Sequence, residues 1–129
     1  MKSNIELDVA TKYSAGHELK CLEDVILEKN EMKVIETGIT LNIPKNYYFQ
    51  IAPKSKHSLY GIQVLAGVVD SDYTGTIKVI LLNSGKSSYK IEKGKSIAQG
   101  ILLRYYHLSN CNYIHNENFL HEGFGSSKS

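Results

Sequence analysis

Two acids, Asp70 and Asp72, stand in AGVVDSDYTG (residues 66–75), directly after an apolar run and around the turn that carries Tyr73 and Gly75. Several chemistries use carboxylates in such a spacing. A calcium loop of the EF-hand kind would take ligands from Asp70, Asp72 and Thr74 with Gly75 at its sharp turn. Its twelfth position, however, is Leu81 where a bidentate Glu is needed, and strand-like segments flank it. An aspartic-protease dyad needs Asp followed by Ser or Thr and then Gly. Here Asp70 and Ser71 run into Asp72, and LLNSG carries Asn83 at the acid position. What remains is a carboxylate at the end of a buried strand, set beside Val68 and Val69 and able to act as general base toward a water. A turn-capping Asp satisfies the same pattern, so the stretch by itself leaves both readings open.

The elements that must position these acids read as β-strands. In GITLNIPKN, Ile39, Leu41 and Ile43 alternate with Thr40 and Asn42, which buries one face and wets the other, and Pro44, Lys45 and Asn46 form a turn. YYFQIAP follows as a strand ending at Pro53; IQVLAGVV, TIKVILL and SIAQGILLRYY continue the series, with NSGKSS and EKGK as turns. CLEDVILEKN is the best helix candidate, although its Val25, Ile26 and Leu27 fit a strand equally well. The fold expected is all-β, a sandwich or barrel. The tail from Asn116 to Ser129 is polar, sets Phe124 between Gly123 and Gly125, and is expected to form a mobile arm. An aromatic between glycines can close over a flat ligand, or it can simply pack on the nearest core edge.

The 129 residues suit one domain, and a net charge of +2 is too small for a nucleic-acid coat or a membrane-surface anchor. Any anionic ligand must therefore meet local cations. Cys21 and Cys111 lack the paired spacing of a zinc site and read as reduced structural thiols. MKSNIELDVA has no apolar h-region and no run approaches the roughly 18 apolar residues of a membrane span. An intracellular compartment, cytoplasm or nucleus, is expected.

Five separated stretches, SAGHEL (14–19), APKSKHSL (52–59), AGVVDSDYTG (66–75), KGKSIAQG (93–100) and HEGFGSS (121–127), together resemble the ordered motifs of the trimeric dUTPase family over nearly the whole chain. The resemblance implies a distorted β jelly roll, or β-clip, over residues 1–115, followed by a mobile tail, 116–129, carrying the GFGS motif. It implies hydrolysis of dUTP to dUMP and pyrophosphate, with Asp70 deprotonating the water that attacks the α-phosphorus. Tyr73 would stand under the deoxyribose and exclude a 2′-hydroxyl. The main chain of the hairpin around Val64, Gly67 and Val68 would pair with the uracil edge, and Phe124 would stack on the base as the tail closes. Ser55, Gln99 and Ser126 match phosphate-contacting positions, with Lys54, Lys56 and Gly125 beside them. The family uses Mg2+, to which Glu18 would contribute through water, and its sites form between the subunits of a homotrimer.

Departures from the family pattern concentrate on charge. Glu18 replaces the usual Asp, Lys54-Ser55-Lys56 replaces Arg-Ser-Gly, Ser96 stands before Ile-Ala-Gln where Arg is usual, and Phe119 occupies the place of the tail Arg. A planar fork thus becomes a point charge, and a charge-assisted γ-phosphate contact is lost, with His121 and Lys128 as non-positional substitutes. These changes motivate a second reading, a dUTPase-derived module that binds a protein partner rather than turning over nucleotide. The related dCTP deaminase branch fits less well, because deamination needs a general-base Glu in the hairpin region and Asp70 with Tyr73 matches the dUTPase arrangement better.

Overall fold

Tyr47–Ala52 shows why this chain folds as strands. Phe49 and Ile51 are buried while their neighbours are only half covered, the period-two pattern of a strand that packs one face. The computed structural model describes residues 1–108. In chain order the elements are β1 Lys2–Ser3, β2 His17–Lys20, β3 Val25–Leu27, β4 Met32–Glu36, β5 Leu41–Asn42, β6 Tyr47–Ala52, α1 Ser55–Ser58, β7 Ile62–Leu65, β8 Val68–Val69, β9 Lys78–Asn83, β10 Tyr89–Ile91 and β11 Ser96–Arg104. One sheet has the order β2-β11-β6-β8 and another β4-β9-β7, and the pairs β1-β5 and β10-β3 complete the fold. Every named pairing is antiparallel.

The two larger sheets meet in one core. Leu19, Phe49, Ile51 and Ala98 come from the first, and Ile62, Val79 and Leu81 from the second. Outside that core the second sheet keeps an apolar face. Val34 opposes Ile80, Met32 opposes Leu82 and Leu65 opposes Ile80, so all five share the outward side, where Met32 and Val34 are each 56% exposed.

The expected turns are present. The Tyr47 N–H closes Pro44–Tyr47 onto the Pro44 carbonyl at 3.1 Å, with Asn46 at φ +71°, and the Lys95 N–H bonds Glu92 O at 3.0 Å. One segment left open between helix and strand resolves, and one expectation needs correction. CLEDVILEKN contributes the strand β3, paired with β10, and no helix. The helical turn α1 instead lies in APKSKHSL, too short for any 3.6-residue periodicity to reveal. IQVLAGVV, read as one strand, is broken at Ala66 (φ +57°) and Gly67 (φ +120°), and its halves join different sheets. The segment expected as a hairpin is therefore a crossover: β7 pairs with β9, and β8 pairs with β6. Among the described residues no helix is long and apolar enough to cross a membrane.

Candidate functional site

Strand β8 delivers Asp70. At its start Gly67 adopts φ +120°, and a Cβ there would lie 2.7 Å from the Ile51 carbonyl oxygen, so only glycine lets the chain come this close to β6. The Ile51 N–H then bonds Gly67 O at 2.7 Å. Successive residues of an antiparallel ladder turn their backbone groups to opposite sides. With Gly67 engaged toward β6, Val68 turns its N–H and C=O to the free edge of the sheet. Val68 is 62% exposed, and with Val69, Asp70, Asp72, Tyr73, Ile77 and Lys78 it lines a cavity of about 350 Å³. Cavities of that size accept small molecules.

The turn after Asp70 is closed by backbone, Tyr73 N–H to Asp70 O at 3.1 Å, rather than by the Asp72 side chain. The Tyr73 hydroxyl donates to Thr76 O at 2.6 Å, which fixes the ring over the turn with its face 41% exposed. Asp70 is exposed at the cavity wall, an arrangement that leaves its carboxylate free to take a proton from a water.

A second cluster forms where β2, β11 and α1 meet. Glu18 and Gln99 are cross-strand partners, and Ala52 flanks Gln99 on β6. Lys54 Nζ reaches Glu18 Oε1 at 2.9 Å, with the side chains only 24% and 13% exposed, and Gln99 Nε2 donates to Pro53 O at 2.9 Å. Gly16 makes room for that amide: a Cβ would fall 2.2 Å from Gln99 Oε1, which ties SAGHEL sterically to SIAQG. Burial works to raise the Glu18 pKa, but the Ser96 hydroxyl, Lys54 and more distant Lys20 outweigh it and hold the carboxyl below its ordinary value. Glu18 Oε2 is buried without a hydrogen-bond partner.

This cluster opens on a cavity of about 650 Å³ where five lysines (Lys20, Lys54, Lys56, Lys90 and Lys95) outnumber three carboxylates (Asp8, Glu18 and Glu92). Lys20 pairs with Asp8 and Lys90 with Asp24. Lys56 and Lys95 make no ion pair among the described residues. The excess of cations suits an anion larger than one carboxylate.

The residues expected to act together thus fall into two groups. Asp70, Tyr73 and Val68 share the smaller cavity, and Glu18, Lys54 and Lys56 share the larger; the two cavities have no lining residue in common. Val64 and Gly67 are not on the wall of either one. Val64 sits on β7 with its side chain packed against the core, and the Gly67 carbonyl is already taken by Ile51. Ser55 is exposed at the first position of α1, and the Gln99 amide is committed to Pro53. Phe124, Gly125 and Ser126, like the tail 116–129 as a whole, lie outside the described residues. Sequence reasoning missed His57 and Tyr89, which line the larger cavity and contact each other across 32 residues of chain. His57 stands inside APKSKHSL at a position to which the resemblance gives no role, Tyr89 lies outside every quoted stretch, and a single His among lysines carries no spacing signal.

An all-β scaffold that holds an acid at a sheet edge and a separate lysine-rich cavity at a strand-to-helix turn is suited to an anionic ligand. Comparison with known proteins narrows this further. Residues 4–128 match the dUTPase family. The deoxyuridine 5′-triphosphate nucleotidohydrolase of Rabbitpox virus (strain Utrecht) is 38% identical over 117 residues, covering 89% of this chain and 80% of that protein. Native EIAV dUTPase superposes with a TM-score of 0.78 at 29% identity, covering 86% of this chain and 92% of that one. A Staphylococcus bacteriophage 80alpha dUTPase solved with dUPNHPP shares the fold, with a TM-score of 0.74 over 80% of this chain and 78% of its own, at 23% identity. The chain belongs to the dUTPase family, and its all-β architecture is the jelly-roll-like fold of those enzymes.

Proposed function

We propose that this protein is a dUTP pyrophosphatase that splits dUTP into dUMP and pyrophosphate. The observation that carries the reading is Asp70, exposed at the wall of a cavity it shares with Tyr73 and the edge-facing backbone of Val68, in a chain of the dUTPase family. Asp70 accepts a proton from water as the water oxygen attacks the α-phosphorus; the bond from that phosphorus to the bridging oxygen breaks, and pyrophosphate leaves with the electron pair. Val68 offers a backbone donor and acceptor to the uracil edge, and a base with the opposite pattern leaves them unpaired. The Tyr73 ring stands under the deoxyribose. Phe124, Gly125 and Ser126 of the tail close over the base and phosphates.

Lys54 and Lys56, which line the larger cavity, hold the phosphates on the other side of the site, with Ser55 between them on α1, while Gln99, its amide bonded to Pro53 O, braces that turn. Because the two cavities share no wall, Asp70 and Lys54 meet one substrate most simply when they come from different subunits, which supports a homotrimer. The outward apolar face of Met32, Val34, Leu65, Ile80 and Leu82 supplies a surface for that association.

Among the described residues no group of three or more His, Cys, Asp or Glu side chains is arranged around a metal. One carboxylate beside a phosphate site nonetheless fits Mg2+, which keeps several waters and takes most of its ligands from substrate phosphates. Glu18 is the residue that would hold it through water, since Oε2 is buried and unpartnered while Oε1 binds Lys54. When bound, Mg2+ supplies neutralisation of the triphosphate charge.

Lys54, paired with Glu18 at 2.9 Å, keeps a cation where the family has Arg, and this favours the enzyme over the reading of a protein-binding module. Pyrophosphate release from dUTP, set against UTP and dCTP, tests the proposal. Turnover should be confined to dUTP; equal turnover of UTP would remove the role given to Tyr73, and equal turnover of dCTP the role given to Val68.

A further inference from the structure

The turn Lys54–Ser58 is tied to the strands around it by bonds of two kinds. One is ionic, Lys54 to Glu18. The others are neutral: Gln99 to Pro53 O, and a pair made by the buried His57, a residue 7% exposed. His57 Nε2 lies 2.7 Å from Ser96 O at the start of β11, and Nδ1 lies 2.7 Å from the Tyr89 hydroxyl on β10. A carbonyl oxygen only accepts, so Nε2 carries a proton; in the neutral ring Nδ1 accepts from the Tyr89 O–H, which leaves both nitrogens bonded. Tyr89 is itself held against Tyr60, ring centroids 5.4 Å apart.

The ionic and neutral ties respond differently to an anion. A phosphate arriving in the lysine-rich cavity competes with Glu18 for the Lys54 ammonium, since both bind the same charge. It has no comparable claim on an imidazole whose two nitrogens are already bonded. We propose that His57 is the positioning residue of this turn, a neutral latch through Ser96 O and Tyr89 that keeps Lys54 to Lys56 in register with β10 and β11 when substrate phosphate draws Lys54 from Glu18. The proposal rests on the reading of Lys54 and Lys56 as phosphate contacts.

The test uses the full chain and the variants Tyr89→Phe, His57→Leu and His57→Gln. Tyr89→Phe deletes one hydroxyl and leaves the ring on Tyr60; KM for dUTP should rise roughly three- to tenfold, with kcat within about twofold. His57→Leu should raise KM further. His57→Gln, whose amide N–H can still reach Ser96 O, should recover most of that loss. Binding of inorganic tripolyphosphate, measured by calorimetry, should weaken in the same order. Nitrogen-15 spectra of the unaltered protein should show His57 as the Nε2–H tautomer. The latch is overturned by an Nδ1–H tautomer, by unchanged KM and tripolyphosphate affinity in Tyr89→Phe and His57→Leu, or by losses in kcat that Gln does not rescue. If the unaltered protein fails to turn over dUTP, the functional reading falls, while the tautomer and the tripolyphosphate series still decide the latch.

Discussion

Replacing Gly67 by Ala perturbs the point at which β8 meets β6. At φ +120° any side chain is strained, at a cost of about 1–3 kcal/mol. The new Cβ would also stand 2.7 Å from the Ile51 carbonyl oxygen, a backbone atom that cannot swing aside. Relief requires β8 to move outward, which weakens the 2.7 Å bond from Ile51 N–H to Gly67 O, worth about 1 kcal/mol net. Together these give a loss of about 2–4 kcal/mol. Gly94→Ala separates the terms, since its φ is +82° and nothing lies within 4 Å of the added Cβ; strain alone there costs about 1–2 kcal/mol. Urea unfolding followed by circular dichroism measures both variants, and dUTP kinetics reports the site. Gly67→Ala should lose more stability than Gly94→Ala and should raise KM, because Val68 no longer presents its backbone at the same place. Equal losses in the two variants, or an unchanged KM in a destabilised Gly67→Ala, would refute the reasoning.

Glu18→Gln probes pH dependence. The folded Glu18 carboxyl titrates below its ordinary value, so its contribution is complete above that value and is lost as pH falls through the folded pKa. The Gln variant should melt below the unaltered protein at pH 7, with the gap closing as pH falls below the ordinary glutamate range and through the lower folded pKa; a gap independent of pH would count against the Lys54 pairing. Tyr73→Phe removes only the 2.6 Å bond to Thr76 O, so it should cost about 1 kcal/mol and keep discrimination against UTP, whereas Tyr73→Ala should admit UTP. Val34→Glu charges the outward apolar face and should shift the assembly to smaller species in light scattering, with activity falling alongside. An unchanged assembly would put the contact of the proposed homotrimer elsewhere.

The strands were legible because their cause is local. Alternation around Phe49 and Ile51, and turn residues such as Pro44 and Gly94, express burial and backbone preference within a few positions. The tight turn that holds Asp70 and Tyr73 was legible for the same reason, while their roles came from the resemblance alone. The break in IQVLAGVV was not, because Ala66 and Gly67 leave the strand only under the pull of two different sheets. Nor was α1, a single turn whose ties run to Glu18, Ser96 and Tyr89, far away in the chain. Resemblance supplied the roles of Glu18 and Lys54, and only the fold shows that they form a partly buried ion pair.

Pyrophosphate release from dUTP by the unaltered protein and by Asp70→Asn, with and without Mg2+, tests the central claim most directly. Asp70→Asn preserves size and the Asp70 carbonyl that closes the turn, so it removes the proposed base and little else. The account predicts Mg2+-dependent turnover by the unaltered protein and none above background in the variant, with dUTP binding retained. Equal turnover in the two proteins, or none in either at millimolar dUTP, would contradict it.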